Sequence, residues 1–126
     1  MNLEKILVVG RNLKREFRIY LNDVLEAIGR VKKYSSTLSK EDLLNDTRST
    51  DAILRNLEII GEAVTQLPEF IQDKYRQVPW RDIQDFRIVV AHLYWQINID
   101  RIWDIIENKL DPLKKQISMI LRKEKM

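Results

Sequence analysis

Residues 53–67, ILRNLEIIGEAVTQL, contain the pattern that decides the fold of this chain. Apolar side chains recur at steps of three and four residues, which is typical of the buried face of an amphipathic α-helix. These apolar positions are Ile53, Leu54, Leu57, Ile60, Val64 and Leu67. Gly61 lies among them, although glycine inside a helix costs about 1 kcal/mol relative to alanine. We therefore predict a long helix from about Ser49 to Leu67, with another helix approaching closely at Gly61.

The same periodicity predicts a first long helix upstream, from about Lys14 to Tyr34. Its apolar face consists of Phe17, Tyr20, Leu21, Val24, Leu25, Ile28 and Val31. After a break in the pattern, Ser39 is followed three residues later by Asp42, a spacing typical of the N-cap of a short helix.

Prolines and an asparagine divide the rest of the chain into helices. Pro68 predicts a short helix that reaches Arg76, and Pro79 predicts the start of a third long helix. Asn98 is a candidate N-cap for another helix, and the pair Asp111-Pro112 is the expected start of the last one. The apolar positions of these last two segments are Ile99, Ile102, Trp103 and Ile106, then Leu113, Ile117, Ile120 and Leu121.

These elements predict an all-α fold, an antiparallel four-helix up-and-down bundle with additional short helices. We assign residues 1–12 to an N-terminal extension whose order the sequence leaves open, and residues 13–126 to a single helical domain. With 126 residues the chain is long enough for one hydrophobic core. The apolar stretch at residues 6–9 is too short for a signal-peptide core or a bilayer span, so we expect no membrane partner. The absence of cysteine suits a reducing compartment, and we expect a cytoplasmic protein.

Composition excludes several kinds of chemistry. The chain contains no cysteine, which excludes disulfides, thiolate zinc sites and cysteine nucleophiles. It contains one histidine, so no metal site within a protomer can have several histidine ligands. The net charge of +3 permits a polyanionic partner without requiring one.

The candidate functional residues lie in RIVVAHLYW, residues 87–95. On a helical wheel at ~100° per residue, Arg87 and Tyr94 share the flank of a core stripe, whereas His92 lies on the opposite side. The core stripe is formed by Ile83, Phe86, Val90, Leu93 and Ile97. The residues grouped with His92 are Asp85, Ile88 and Trp95.

Arg87 and His92 are separated by ~140° around an ideal helix, so they do not share a face. They could converge if His92 follows a helix break, or if a second protomer brings its histidine toward the arginine. The second apolar patch, Ile88 and Trp95, favours a homodimer, since isologous dimers are the commonest assembly. We expect Asp85, Ile88 and Trp95 to lie at this interface or directly around the site.

Arg87, His92 and Tyr94 form the pattern R-x4-H-x-Y, and the chain thereby resembles the HepT-like toxins of the HEPN superfamily. The similarity extends from about Phe17 to Ile117 and includes FRIYLNDVLEAIGRVKKY, RNLEIIGEAVTQLP, PWRDIQDFR and WDIIENKLDPLKKQI. Two positions differ from the family pattern. Ile88 stands where a polar residue, often asparagine, follows the arginine, and Leu93 stands where a small residue is common.

The resemblance implies a homodimeric, metal-independent endoribonuclease that needs no cofactor. Its catalytic residues would be Arg87 and His92, and RNA would be cleaved at a site shared between protomers. It also implies a toxin role in a type VII-like pair, in which a minimal nucleotidyltransferase antitoxin adenylylates Tyr94.

Three alternatives remain open at this stage. The protein could be a non-catalytic module that binds nucleotides or its nucleotidyltransferase partner without cutting RNA. It could be the substrate- or nucleotide-binding subunit of a two-chain transferase, in which Tyr94 stays unmodified. Finally, Glu58 and Glu62, one helical turn apart, could contribute carboxylates to a metal site, although such pairs usually form a solvated face.

Overall fold

Amphipathic helices make up the fold, as the apolar periodicity predicts. The computed structural model describes the backbone of residues 3–93 and 98–125, and the side chains of residues 17–91 and 98–125. In chain order the elements are α1 (Leu3–Ser35), α2 (Asp42–Asn45), α3 (Thr47–Thr65), α4 (Glu69–Lys74), α5 (Trp80–Gln84), α6 (Phe86–Leu93), α7 (Ile99–Asp104), a π-helical turn (Ile105–Lys109) and α8 (Leu110–Lys123). The described residues contain no strand, which confirms the all-helical bundle.

The core lies where α1 and α3 pack along each other, with α5, α6 and α8 closing it from the sides. Every apolar position predicted for α3 is buried, including Leu57 and Ile60 at 0% exposure. On α1, five of the predicted positions are buried, while Tyr20 and Leu25 are half-buried against the core. The predicted core faces of the two longest helices are therefore confirmed.

Side-chain caps define several of the helix starts. The Asp46 side chain accepts a hydrogen bond from the Ser49 amide at 3.0 Å, so α3 begins slightly before the predicted Ser49. Ser39 and Asp42 form reciprocal hydrogen bonds, as in a capping box, at the predicted short helix. The N-cap of α2 is nevertheless Glu41 rather than the predicted Ser39, because these bonds close the turn that precedes the helix. Asn98 accepts from the Arg101 amide at 3.2 Å, which confirms Asn98 as the cap of α7.

The predicted start of the first helix is wrong. Helix α1 begins at Leu3 rather than near Lys14. The prediction depended on regular apolar periodicity, which begins only at Phe17, so it could not detect the first turns of the helix. The division of the chain into an extension, residues 1–12, and a domain, residues 13–126, stays a prediction.

The third long helix is interrupted where the sequence predicts continuity. Helix α5 ends at Gln84 and α6 begins at Phe86, with Asp85 as the C-cap between them. Ile83 and Phe86 are nevertheless buried, and so is Val90 further along α6. The side chain of Leu93 and all of Ile97 lie outside the described residues. Arg87 therefore lies in the first turn of α6 rather than in the middle of a long helix.

The last two predicted helices are one continuous helical run from Ile99 to Lys123. Pro112 does not begin a new helix, because it is the third residue of α8. A proline lacks the N–H that the preceding turn would use, and its ring clashes with the carbonyl four residues back. The π-helical turn widens the helix before the proline, where the Leu110 amide donates to the Ile105 carbonyl five residues earlier.

Within the described ranges, no helix is both long enough and apolar enough to span a membrane.

A polar cluster fastens the end of α8 to α4 and α1. The Tyr75 hydroxyl and the Lys74 ammonium both donate to the same oxygen of Glu124, each at 2.6 Å. Arg18 of α1 donates to the carbonyls of Leu121 and Glu124. Burial of the phenol, with the Glu124 carboxylate as its acceptor, raises the pKa of Tyr75 from 10.0 to about 12.

Tyr75→Phe should lower the free energy of unfolding at pH 7 by about 1 kcal/mol, the usual contribution of one intramolecular hydrogen bond. The folded phenol has the higher pKa, so this stabilisation is complete below pH 10.0 and is lost as the pH rises toward about 12. Urea unfolding of both proteins across this range should show the two stabilities converging. Tyr34→Phe is the control, since no described residue hydrogen-bonds the Tyr34 hydroxyl; a constant difference for Tyr75→Phe would contradict the assignment.

Candidate active site

Arg87 is the second residue of α6, directly after the interruption at Asp85. Its side chain is exposed, and its Nε donates to the Gln84 carbonyl at 3.3 Å. The terminal nitrogens of the guanidinium have no acceptor or ion-pair partner among the described residues. The Arg87 guanidinium is thus held at its Nε by a backbone carbonyl, and its two terminal nitrogens can bind an anion.

Gly61 determines how closely Arg87 can approach α3. A Cβ atom at position 61 would be 2.7 Å from Arg87 Cγ, 3.1 Å from the Arg87 nitrogen and 3.1 Å from the Gln84 carbonyl oxygen. Two of these three atoms belong to the backbone and the third is near the base of its side chain, so none can move aside easily. This contact confirms the predicted close helix approach at Gly61, and it sets the position of Arg87.

A groove of ≈ 440 Å³ opens beside Arg87, over the exposed side of α3 where that helix approaches α1. We call it the Arg87 groove. It is lined by Tyr20, Asp23, Ile59, Glu62, Ala63, Gln66 and Arg87. A volume of this size is within the range of small-ligand sites.

The carboxylates of the Arg87 groove are not paired within the part of the chain that the structure describes. Neither Asp23 nor Glu62 accepts a side-chain hydrogen bond or forms an ion pair with a described residue. Arg87 lines the same groove, yet it lies beyond ion-pair distance of both. The groove therefore combines one cation with two hydrogen-bond acceptors that are available to a ligand.

Helix α6 continues without interruption from Phe86 to Leu93, so Arg87 and His92 belong to the same helix. Five residues of α-helix correspond to ~140° of rotation and ~7.5 Å of rise. The idea that His92 follows a helix break is therefore wrong. Convergence with Arg87 through a second protomer stays a prediction, and the His92 side chain lies outside the described side chains.

A second cleft, of ≈ 530 Å³, lies between α5–α6 and the helical run from Ile99 to Lys123. Asp85 and Val89 line it from one side, and Arg101 and Lys109 from the other. Position 92 follows Val89 by three residues along α6. The structure therefore places Asp85 at this cleft and Arg87 at the groove next to α3, so these two predicted site residues are not brought together.

Ile88 is 51% exposed, like the other exposed large apolar side chains Ile19, Leu44 and Phe70. This exposure agrees with its predicted place on a surface outside the core. Tyr94 and Trp95 lie outside the described residues, so their predicted roles stay predictions.

The metal alternative gains no support from the described side chains. Glu58 forms an ion pair with Arg55 at 2.9 Å, and Glu62 lies in the Arg87 groove. Among the described residues, no three acidic or histidine side chains are grouped as metal ligands.

The sequence does not indicate which other residues line the Arg87 groove. The apolar pattern places Tyr20 in the core, and the i, i+4 spacing offers Glu62 only as a metal ligand. No pattern in the sequence singles out Asp23 or Gln66. One signal did point to this place: Gly61 predicted a close helix approach, and Glu62 is its neighbour in sequence. The pairing with α1, forty residues away, has no such local signal.

Comparison with known proteins shows the family. The family model described as "Ribonuclease HepT-like" matches residues 24–120. "Putative RNase MJ0127" of Methanocaldococcus jannaschii is 37% identical over 86% of this chain and 90% of its own length. "Putative RNase TTE0752" of Caldanaerobacter subterraneus is 38% identical over 86% and 96% of the two chains, and "Probable ribonuclease HepT" of Thermococcus cleftensis is 30% identical over 81% and 93%.

This chain belongs to the HepT-like ribonuclease family. The resemblance expected from R-x4-H-x-Y and the flanking helices is thus confirmed. No solved structure matches the chain significantly.

Gly61→Ala should lower the free energy of unfolding by about 1–3 kcal/mol, because the added methyl group overpacks the contact with Gln84 and Arg87. Gly29→Ala is the matched control, since a Cβ atom there would meet nothing within 4 Å. The control should gain about 0.5–1 kcal/mol from helix propensity. Urea unfolding measures both changes. If both substitutions stabilise the protein, α3 does not approach Gln84 and Arg87 as closely as the structure shows.

Proposed function

We propose that this protein is a metal-independent endoribonuclease that works as a homodimer, with Arg87 and His92 as its catalytic residues. The observation that carries the proposal is the presentation of Arg87, whose backbone is held against Gly61 and whose terminal nitrogens have no partner among the described residues. In a HepT-like ribonuclease, this arginine and the histidine five residues later form the family pattern.

The residue types suit RNA cleavage through the 2′-hydroxyl group. A base must remove the hydroxyl proton, an acid must protonate the departing 5′-oxygen, and a cation must stabilise the charge that builds on the phosphate. An imidazole can serve in either proton-transfer role near neutral pH. The Arg87 guanidinium can donate two parallel hydrogen bonds to phosphate oxygens.

The single histidine of each chain requires a second protomer in this mechanism. One imidazole cannot act as the base and as the acid in the same step, so two copies of His92 would supply the two roles. The continuous helix α6 supports this arrangement, because it separates Arg87 from His92 of the same chain by ~140°. Exposed Ile88 offers apolar surface for contact between the protomers.

Regulation in this proposal acts at Tyr94. A cognate minimal nucleotidyltransferase, the antitoxin of a type VII-like pair, joins the tyrosine oxygen to the α-phosphorus of ATP. The bond to the β-phosphate breaks, and pyrophosphate and the phenol proton leave. The added phosphate would compete with RNA for Arg87, which lies two helical turns away on the same side of an ideal helix. Intact mass of the chain after incubation with that partner and ATP tests this step, with Tyr94→Phe as control.

A second candidate, a binding module that does not cut RNA, is favoured by Ile88. An apolar side chain here removes the polar group that commonly follows the family's arginine. In that case the protein binds the nucleotidyltransferase stably, and Ile88→Asn acquires a cleavage activity that the natural chain lacks.

Wild-type protein should cleave single-stranded RNA in the presence of EDTA. Arg87→Ala and His92→Ala should each reduce the rate by at least about a hundredfold, the usual contribution of a positioned acid, base or charge-stabilising group. Arg30→Ala is the control, because Arg30 is exposed and pairs only with Glu26, at 3.6 Å, among the described residues. Cleavage that survives in both site variants while all three proteins stay folded and dimeric would disprove the assignment.

Mixed dimers test whether two histidines serve one site. If wild type and His92→Ala are coexpressed in equal amounts, only about one quarter of random dimers contain two histidines. Activity should then be about one quarter of the wild-type value at equal total protein. Homodimers purified separately and mixed without subunit exchange should retain about one half. About one half after coexpression would show that the two histidines act independently, and about three quarters would show that one histidine is enough for a shared site. Either value would contradict the shared mechanism.

A further inference from the structure

We propose that the Arg87 groove binds a guanine base of the RNA, on a nucleotide next to the phosphate that Arg87 holds. This inference rests on the proposed ribonuclease function and adds base specificity to it. The groove makes it possible because a phosphate-binding cation and two available carboxylates line the same cavity.

The interior of the groove offers apolar surface for a planar base. Ile59 is half-buried and Ala63 is 6% exposed, and the half-buried ring of Tyr20 lies on the α1 side. Single-stranded RNA is commonly recognised by contact between unstacked bases and aromatic side chains. The cavity of ≈ 440 Å³ is open enough for such a base to enter from solvent.

The polar groups of the groove select among bases by their hydrogen-bonding edges. Asp23 and Glu62 have no donor among the described side chains, and a carboxylate can only accept hydrogen bonds. Guanine presents two neighbouring donors, N1–H and the 2-amino group, which match the two oxygens of one carboxylate. Adenine and cytosine present one amino group beside an acceptor nitrogen, and uracil presents one N–H between two carbonyls. Guanine is therefore the base that these carboxylates favour.

The charge arrangement also favours a nucleotide over a protein segment. A basic peptide would satisfy the carboxylates but would bring its charge close to Arg87, whereas an acidic peptide would be repelled by Asp23 and Glu62. A guanine nucleotide is anionic at its phosphate and rich in donors at its base. It can satisfy the cation and a carboxylate at the same time.

Cleavage of matched RNAs tests the preference. The substrates are uridine oligomers that carry one central guanosine, inosine, adenosine or cytidine. We expect cuts at a fixed position beside guanosine, with at least about tenfold lower rates for adenosine and cytidine. Inosine, which lacks the 2-amino group, should give an intermediate rate. Equal rates for all four substrates would overturn the proposal.

Glu62→Gln and Asp23→Asn identify the carboxylate that binds the base. At least one of them should lose the preference for guanosine over adenosine while cleavage of the adenosine substrate continues. Glu58→Gln is the matched control, since Glu58 lies one turn earlier on α3 and pairs with Arg55. Preferences unchanged in both groove variants, or changed equally in the control, contradict the assignment. Circular dichroism checks that each variant is folded.

Nucleotide binding separates failure of this inference from failure of the proposed function. Titration of isotopically labelled protein with 5′-GMP should shift the amide signals of residues 20–23 and 62–66, whereas 5′-AMP should shift them much less. Such shifts in a protein that does not cleave RNA would support the groove and refute the nuclease. Equal responses to the two nucleotides, or none, overturn the groove even if RNA is cleaved. If Glu62→Gln weakens binding of the nucleotidyltransferase but leaves the base preference unchanged, the groove belongs instead to a protein partner.

Discussion

The absence of a side chain at Gly61 is the constraint on which the site depends. Without a Cβ atom, α3 can lie against the backbone of the α5–α6 junction, with Gln84 and Arg87 at distances that an alanine would not permit. That close contact coexists with burial of Ile83 and Phe86 on either side of the junction. The same packing therefore completes the core and places a cation at the edge of α3.

The interruption at Asp85 is the second part of this arrangement. In a single straight helix from Pro79 onward, the direction of the Arg87 side chain would follow from the wheel alone. Because α5 ends at Gln84, the carbonyl of that residue accepts the hydrogen bond from Arg87 Nε. The arginine is thus oriented by backbone on two sides, and its terminal nitrogens have no partner among the described side chains.

The spacing of apolar and capping residues predicted the local features of the helices. The buried faces of α1 and α3, the cap at Asn98 and the paired hydrogen bonds of Ser39 and Asp42 follow from patterns a few residues long. The break at Asp85 and the π-helical turn before Pro112 were not predicted, because each depends on how one turn meets its neighbours. The start of α1 was missed for another reason: the backbone is helical ahead of the regular apolar pattern.

The site was predictable to a similar degree. The family pattern singled out Arg87 and His92, and the wheel showed that they do not share a face, which the continuous α6 now supports. Tyr20 and Asp23 escaped notice because they come from α1, far away in sequence, and nothing local indicates which flank of α3 that helix covers. Glu62 could have been recognised, since a glycine at a close contact implies that its neighbour borders the partner helix.

The departure of Ile88 from the family pattern can be weighed against this geometry. A polar residue after the arginine could help to hold the guanidinium, but here the Gln84 carbonyl and the contact with Gly61 already hold Arg87. A polar side chain at position 88 is therefore not needed to orient Arg87, and the Ile88 side chain is 51% exposed. Moving an exposed isoleucine side chain from water to an apolar contact is favourable. In the homodimer proposed above, partner surface that covers Ile88 would strengthen association, while the Gln84 carbonyl and the contact with Gly61 still orient Arg87.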